Sequence, residues 1–159
     1  MPCSYRPVAH KRPAKLTCRW ATEPDRQLLL KASSLTAKRL ELGDRAAVLF
    51  IDEQLVGTVW ISTGTYHDWD TDLKIELQPN EAWLYGAWID RNFRGQHLYS
   101  YLIAHVCESL QQQSIDSLLL AVDWSNSLSQ KVHKALGAER IGSLYGLCIF
   151  GSRHFRLNR

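Results

Sequence analysis

The sequence predicts an α+β fold with α/β/α-like layers, in which a mixed and mostly antiparallel central sheet of about six to seven strands carries flanking helices. Three observations lead to this prediction. Several short runs are rich in β-branched and aromatic residues, as strands are. Other segments repeat apolar residues at the helical spacing. One such segment lies between two apolar runs, the order of a parallel strand pair joined by a crossover helix.

Local signals delimit these elements. Thr22 can cap a helix whose first turn holds Pro24, and Gly43 can end it. Gly86 lies inside an aromatic strand, where glycine often marks a bulge or a close approach of the backbone. The predicted elements are, in order, a strand (15–21), a helix (about 22–42), two hairpin strands (46–52 and 54–63), a polar connection (64–80), a strand (81–90), a helix (95–113), a strand buried on both faces (117–124), a short helix (126–136) and two terminal strands (139–151 and 153–158).

No linker, repeat or low-complexity tract divides the 159 residues, a length that suits one domain. Residues 1–14 hold three of the five prolines and no apolar period, so we expect an irregular basic arm at 1–14 and a single domain at 15–159. The first 22 residues carry five basic and no acidic side chains, whereas the other 137 carry 14 basic and 16 acidic ones. The arm is either a solvated tail or a contact for an acidic partner. Because the rest offers no extended basic face, we expect no nucleic-acid partner.

The cysteines and acidic residues exclude further classes of protein. The four cysteines lack the paired spacing of a zinc site and are expected as reduced thiols in a cytoplasmic protein. The acids at 68–72 alternate as in a calcium loop, but Leu73 replaces the loop glycine and Pro79 the twelfth ligand. No apolar stretch approaches the roughly 18 residues of a membrane span. We therefore expect no metal and no membrane span.

The segment "RNFRGQHLYSYL" at 91–102 joins a predicted strand to a predicted helix. The first N–H groups of a helix lack partners within the helix, and the helix dipole adds partial positive charge there. Arg94 adds a full charge, and Gly95 permits close approach of the backbone. These features indicate a site for a phosphate or pyrophosphate. An ordinary loop before a helix can carry the same residues, so this segment alone leaves both interpretations open.

A second segment, "DWSNSLSQKVHKALGAERIG" at 123–142, holds Asn126, Ser129, His133 and Gly137 in a fixed frame. Together with "RGQHLY" at 94–99, it resembles the GNAT superfamily of acyl-CoA-dependent N-acyltransferases. Members of that superfamily show a strand, the loop Arg-Gly-x-Gly-x-Gly/Ala and a helix. Further on they show Asn, a small residue three positions later, Tyr at seven and Gly-Phe at eleven and twelve. The resemblance covers about residues 45 to 150 and implies a GNAT-like fold.

The sequence departs from the superfamily pattern at four positions. His97 and Tyr99 replace two glycine or small residues of the loop, His133 replaces Tyr, and Ala138 replaces Phe. Because the donors in such a loop are backbone N–H groups, His97 and Tyr99 do not remove them. The His97 side chain must then point away from the phosphates, or the loop must change shape.

The resemblance implies an N-acetyltransferase that transfers an acetyl or other acyl group from acetyl-CoA, or another acyl-CoA, to an amine by direct attack. Main-chain groups at Trp88 and Ile89 would pair with the pantetheine arm. Asn126 would contact the cofactor near the thioester, and His133 would be the acid that protonates the departing thiolate. The pyrophosphate would lie on the N–H groups of Arg94, Gly95, Gln96, His97, Leu98 and Tyr99.

The general base is harder to place. The position that often carries Glu in the superfamily is Trp83, so Glu81, two residues earlier and on the same strand face, is the candidate base. Asp90, Tyr66, His67 and a water relay are the alternatives.

Each predicted role has a structural alternative. Asn126 can be only the cap of the following helix. His133 lies between Lys131 and Lys134 and can be a surface residue. A catalytically inactive GNAT-like binding or regulatory domain is the alternative function, because His97, Tyr99 and the missing base weaken the catalytic pattern. The expected partner is a small-molecule or peptide amine, and a homodimer is left open.

Overall fold

The computed structural model describes residues 15–149 and 152–158, so the predicted arm at 1–14 lies outside the described residues. Two short 3-10 turns, Glu23–Asp25 and Arg91–Phe93, accompany the main elements. The helices and strands are β1 (Leu16–Trp20), α1 (Arg26–Ala32), α2 (Thr36–Glu41), β2 (Arg45–Ile51), β3 (Gln54–Thr63), β4 (Thr65–Asp68), β5 (Leu73–Glu76), β6 (Glu81–Ile89), α3 (Leu98–Gln111), β7 (Ser117–Leu119), α4 (Ser127–Ala135), β8 (Ser143–Ile149) and β9 (Ser152–Asn158).

The central sheet has the strand order β1-β2-β3-β6-β7. Its neighbours run antiparallel except β6 and β7, which are parallel and joined through α3. The predicted mixed, mostly antiparallel α+β fold is therefore confirmed. The described central sheet has five strands and not six or seven, because β4–β5 and β8–β9 form separate two-stranded hairpins.

Both faces of the sheet are covered. Successive residues of β2 point to opposite faces, so alternate side chains join two separate buried clusters. The cluster on the α3 face includes Ala47, Leu49, Val59, Ile61, Leu102 and Val106, and the opposite cluster includes Leu29, Ala46, Val48, Phe50 and Trp60. Helices thus flank both faces, as the layered prediction requires.

The continuous helix predicted at 22–42 is wrong, because the chain bends between α1 and α2. Ser33 is extended, with φ −153° and ψ 133°, so α1 ends at Ala32. The hydroxyl of Thr36, a buried residue, donates to the carbonyl of Leu29 at 2.8 Å. Serine and threonine hydroxyls compete with helical hydrogen bonds in this way. The bend folds α2 back beside α1.

Two other predictions are corrected. The connection 64–80 contains the β4–β5 hairpin, whose Tyr66 and Ile75 are buried with Trp83. The strand predicted at 117–124 covers only Ser117–Leu119, and only Leu118 of these three residues is buried. The apolar run therefore predicted too long a strand, because the residues after Leu119 do not pair with the sheet.

Asp25 anchors the first turn to β1. Its carboxylate accepts from Arg19 at 2.5 and 2.9 Å and from the Thr22 N–H at 2.7 Å. The Arg19 guanidinium, more than the Thr22 contacts, lowers the pKa of Asp25 to about 2. Ionised Asp25 is therefore favoured in the folded state.

We expect Asp25→Asn to lower the free energy of unfolding by about 2 kcal/mol at neutral pH. Because the folded pKa lies below the ordinary value, this stabilisation is complete above about pH 4 and is lost as the pH falls through about 2. Urea denaturation of the parent and the variant from pH 7 to pH 2 measures this difference in the free energy of unfolding. Glu23→Gln is the control, since its contact with Arg26 is 3.6 Å long and exposed. An effect of Asp25→Asn that stays constant across this pH range would contradict the assignment.

Candidate active site

An opening between β6 and β7 is the first feature of the site. On one side β6 pairs with β3 as far as Ile89, but on the other side it pairs with β7 only as far as Trp83, opposite Leu119. In the described part of the chain, no strand pairs with this edge of β6 beyond Trp83. Trp88 and Ile89 lie on this stretch. An unpaired strand edge offers N–H and C=O groups to an extended ligand.

A bulge shapes this stretch of β6. Thr58 pairs with Trp88 and Trp60 with Tyr85, so one residue of β3 faces two of β6. Gly86 lies in the bulge with φ +58°, which confirms the bulge predicted from a glycine inside the strand. The extra residue puts Trp88 on the face of α1 and α2, while Ile89 packs against the core on the α3 face.

The loop between β6 and α3 is exposed and tied to the end of β6. Asp90 caps the 3-10 turn by accepting from the Asn92 N–H at 2.8 Å. The Nε of Arg94 donates to the carbonyl of Ile89 at 3.0 Å, which holds this cation at the end of the open edge. Helix α3 then begins at Leu98, so its first N–H groups emerge beside Arg94.

The left-handed backbone at His97 explains why the superfamily pattern has glycine at this position. His97 has φ +58° and Gly95 has φ +77°, values that glycine adopts most easily. A non-glycine residue there costs roughly 1–2 kcal/mol. His97 is exposed, and its backbone nevertheless keeps the conformation expected of glycine. The substitution therefore preserves the shape of the loop.

Helix α4 meets the first turn of α3 through two polar side chains. The hydroxyl of Tyr99 lies 2.8 Å from Nε2 of His133, and the two rings are perpendicular with centroids 5.5 Å apart. His133 is buried, with 8% of its surface exposed, so the surface alternative for this residue is wrong. Burial, more than the nearby Cys107, raises the pKa of Tyr99. The phenol is thus held protonated inside the structure.

The partners of His133 define its tautomer. Its Nδ1 lies 2.8 Å from the carbonyl of Ser129, and a carbonyl can only accept, so Nδ1 carries the hydrogen. In the neutral ring Nε2 is then an acceptor, and Tyr99 donates to it. Both ring nitrogens are engaged, Nδ1 by Ser129 and Nε2 by Tyr99, so Tyr99 links Nε2 to any third group.

Asn126 and Glu81 have structural contacts. The side chain of Asn126 accepts from the Ser129 N–H at 3.0 Å and caps α4, as one of the two interpretations expected. Glu81 begins β6 and accepts from the Gln78 N–H at 3.0 Å. It lies at the opposite end of the strand from Ile89, roughly 25 Å along it. Cofactor contact by Asn126 and base catalysis by Glu81 stay predictions.

Two of the alternative bases, Tyr66 and His67, lie on the β4–β5 hairpin, and the third, Asp90, follows β6. The Tyr66 hydroxyl donates to Asp68 at 3.3 Å, and His67 pairs with Asp72 at 2.8 Å, both on the β4–β5 hairpin. Burial raises the pKa of Tyr66, which disfavours its use as a base. The structure thus places Tyr66 beside Tyr85 of β6, with ring centroids 4.9 Å apart, and Asp90 directly after Ile89 at the end of the open edge.

A cavity of about 230 Å³ lies on the other face of the sheet, between the α1–α2 bend and the β6 bulge. Its volume is below the roughly 300–1,000 Å³ of sites for drug-sized ligands. It is lined by Leu29, Ala32, Ser33, Thr36, Arg39, Thr58, Trp60, Gly86, Ala87 and Trp88. Sequence reasoning missed this cavity, because no local signal links α2 to the bulge.

Within the described residues, no group of three or more His, Cys, Asp or Glu side chains is arranged to hold a metal ion. None of the described helices is long and apolar enough to cross a membrane.

The sequence matches the acetyltransferase (GNAT) family over residues 11–138. The chain therefore belongs to that family, and its architecture is the GNAT fold. This membership supports an acetyltransferase activity in general terms. No curated protein matches the sequence.

Solved structures agree with the fold. Aminoglycoside N-acetyltransferase AAC(6')-Iy in complex with CoA has a TM-score of 0.62 at 21% identity, covering 78% of this chain and 92% of that one. A ribosomal-protein-alanine N-acetyltransferase from Brucella melitensis biovar Abortus 2308 has 0.61 at 16%, covering 85% and 99%. A transcriptional regulator from Bacillus halodurans C-125 has 0.59 at 18%, covering 80% and 95%. At these identities the similarity concerns the fold.

Proposed function

We propose that the protein is an N-acetyltransferase that transfers an acetyl or other acyl group from acyl-CoA to an amine by direct attack. The opening of β6 beside the start of α3 is the observation that carries this proposal. It places an unpaired strand edge at Trp88–Ile89 next to Arg94 and the free end of a helix. An extended amide-bearing arm fits the edge, and a pyrophosphate fits the helix end.

The residues at hand suit acyl-CoA in two respects. The left-handed φ values at Gly95 and His97 keep the loop backbone in the conformation expected of the glycine-rich motif. The open space around Gly95, where an added Cβ would meet no atom within 4 Å, leaves the backbone accessible. The N–H groups from Arg94 to Tyr99 would hold the pyrophosphate, and Asn126 would lie near the thioester from the cap of α4.

The transfer needs no enzyme nucleophile. The amine nitrogen forms a bond to the thioester carbonyl carbon, the carbon–sulfur bond breaks, and the amine gives up a proton while the thiolate gains one. We assign the second proton to Tyr99, backed by His133. The Tyr99 hydrogen passes to the sulfur, a proton taken up from water at Nε2 of His133 replaces it on the Tyr99 oxygen, and the transfer leaves both side chains in their starting forms. A water relay would accept the proton of the amine, and Glu81, at the far end of β6, would receive it only through that relay.

Acetyl-CoA should raise the melting temperature of the protein. A ligand at 100 times its dissociation constant adds about 2.7 kcal/mol to the free energy of unfolding. Differential scanning fluorimetry with millimolar acetyl-CoA measures this, with adenosine as the control that lacks the pyrophosphate. The unchanged melting temperature of a well-folded sample would contradict the proposal. Binding without transfer to any amine would instead indicate the inactive domain.

A further inference from the structure

Arg39 is the cation that lines the cavity between the α1–α2 bend and the β6 bulge. It lies on α2, directly after the bend that the Thr36–Leu29 hydrogen bond bridges. Its guanidinium carbon lies 5.2 Å from the ring centroids of both Trp60 and Tyr85. Two aromatic faces therefore hold the guanidinium in place.

The hydrogen-bonding capacity of Arg39 is not used up by the described residues. Its Nε is buried and has no hydrogen-bond partner. The ion pairs found among residues 15–144 involve Arg19, Arg26 and His67 as the cations. A buried N–H without a partner is costly, and the planar donors of a guanidinium suit a carboxylate.

The cavity lining carries no acidic side chain. Asp44, the acid beside this cluster, accepts the hydroxyl of Tyr85 and is not part of the lining. The other lining groups are apolar, aromatic or hydroxyl-bearing. The cavity is thus positive and largely apolar, which disfavours a ligand with several positive charges and favours a small anion.

Arg39 also lies close to the open stretch of β6. A β-carbon added to Gly86 would be 3.3 Å from both Nη1 and Nη2 of Arg39. Trp88, whose backbone belongs to the open edge, contributes to the same cavity. A small molecule in the cavity can therefore contact Arg39 and the open stretch of β6 at the same time.

We infer that the acceptor is a small amino acid-like amine, whose carboxylate pairs with Arg39 and whose apolar part packs against Trp60 and Trp88. This inference rests on the proposed acyltransferase activity. The amine nitrogen of the acceptor takes the acyl group as described above, while the carboxylate of the acceptor stays unchanged and ionised. A preference for a carboxylate-bearing acceptor distinguishes this protein from an enzyme for aminoglycosides, which are polycations.

The test measures CoA release from acetyl-CoA with the twenty L-amino acids, β-alanine and 4-aminobutyrate, each paired with its carboxamide, and with kanamycin and spermidine. We expect at least one carboxylate to exceed its amide in kcat/KM by tenfold or more. Arg39→Gln should raise KM for that acceptor about 10- to 100-fold and leave KM for acetyl-CoA unchanged. Arg39→Lys should recover part of the loss, because it restores the charge without the planar donors.

Lys38→Gln is the matched control, since it removes the neighbouring charge, whose Nζ lies over the Trp69 ring. It should leave KM for the acceptor unchanged. If amides or polycations had a kcat/KM as high as that of the carboxylates, the inference would be overturned, but the acyltransferase activity would not. Transfer to no member of the panel despite acetyl-CoA binding would also overturn it. Failure of acetyl-CoA to bind would remove the proposed function itself, and circular dichroism shows whether each variant is folded.

Discussion

Tyr99→Phe and His133→Phe should each lower kcat about 10²- to 10⁴-fold, the range that a positioned proton donor contributes. The reason is the 2.8 Å contact between the Tyr99 hydroxyl and His133 Nε2, which makes the two side chains one proton path. Because protonation of the thiolate matters only in the transition state, the affinity for acetyl-CoA should change no more than a few-fold. Steady-state kinetics and calorimetry measure the two quantities separately.

The double variant separates a shared path from two independent effects. If Tyr99 and His133 act as one unit, removing both should cost little more than removing either. Tyr101→Phe is the control, because it makes the same change two residues along α3, where the side chain packs against the core. Turnover of Tyr99→Phe close to that of the parent would exclude Tyr99 as the donor and leave direct proton transfer from water.

Gly95→Val should weaken acetyl-CoA binding about 30-fold or more, which corresponds to about 2 kcal/mol. Gly95 has φ +77°, and a β-branched side chain strongly disfavours that conformation, so the loop must change shape. Open space surrounds Gly95, so the backbone and not a clash within the protein causes the effect. His97→Gly should bind acetyl-CoA equally or more tightly, because it relieves the backbone without removing an N–H.

Gly64→Val is the matched control for this experiment. Gly64 has φ +81° and equally open surroundings, but it follows β3 at the end of the sheet remote from Ile89. It should lower the melting temperature through the same backbone strain and leave the acetyl-CoA dissociation constant unchanged. If Gly64→Val and Gly95→Val weakened binding equally, a general loss of stability would explain the result. Isothermal titration calorimetry on the folded variants distinguishes the two.

Sequence signals predicted an element correctly where short-range interactions determine that element. The bulge at Gly86 and the cap at Asn126 both follow from a residue's own conformational and hydrogen-bonding preferences. The strand bounds Gln54–Thr63 agree with the run of β-branched and apolar residues. In each case neighbouring residues along the chain supply the interaction, so the pattern is sufficient.

Tertiary contacts decided the elements that were predicted wrongly. The α1–α2 break depends on a hydrogen bond from Thr36 across seven residues to Leu29. The shortness of β7 depends on β6, which stays paired with β3 as far as Ile89 but pairs with β7 only as far as Trp83. Neither the hydrogen bond nor the strand pairing can be predicted from apolar periodicity, because periodicity indicates which residues are buried but not which segment they pack against.

By itself, the sequence determined the fold class, the crossover through α3 and the resemblance carried by "RGQHLY" and the frame around Asn126, because periodicity and loop chemistry are short-range properties. Only the tertiary structure decided the pairing of Tyr99 with His133, 34 residues apart, and the placement of Arg39 between Trp60 and Tyr85. Such contacts join distant segments whose approach depends on how helices pack on both faces of one sheet. Spacing along the chain does not specify that approach.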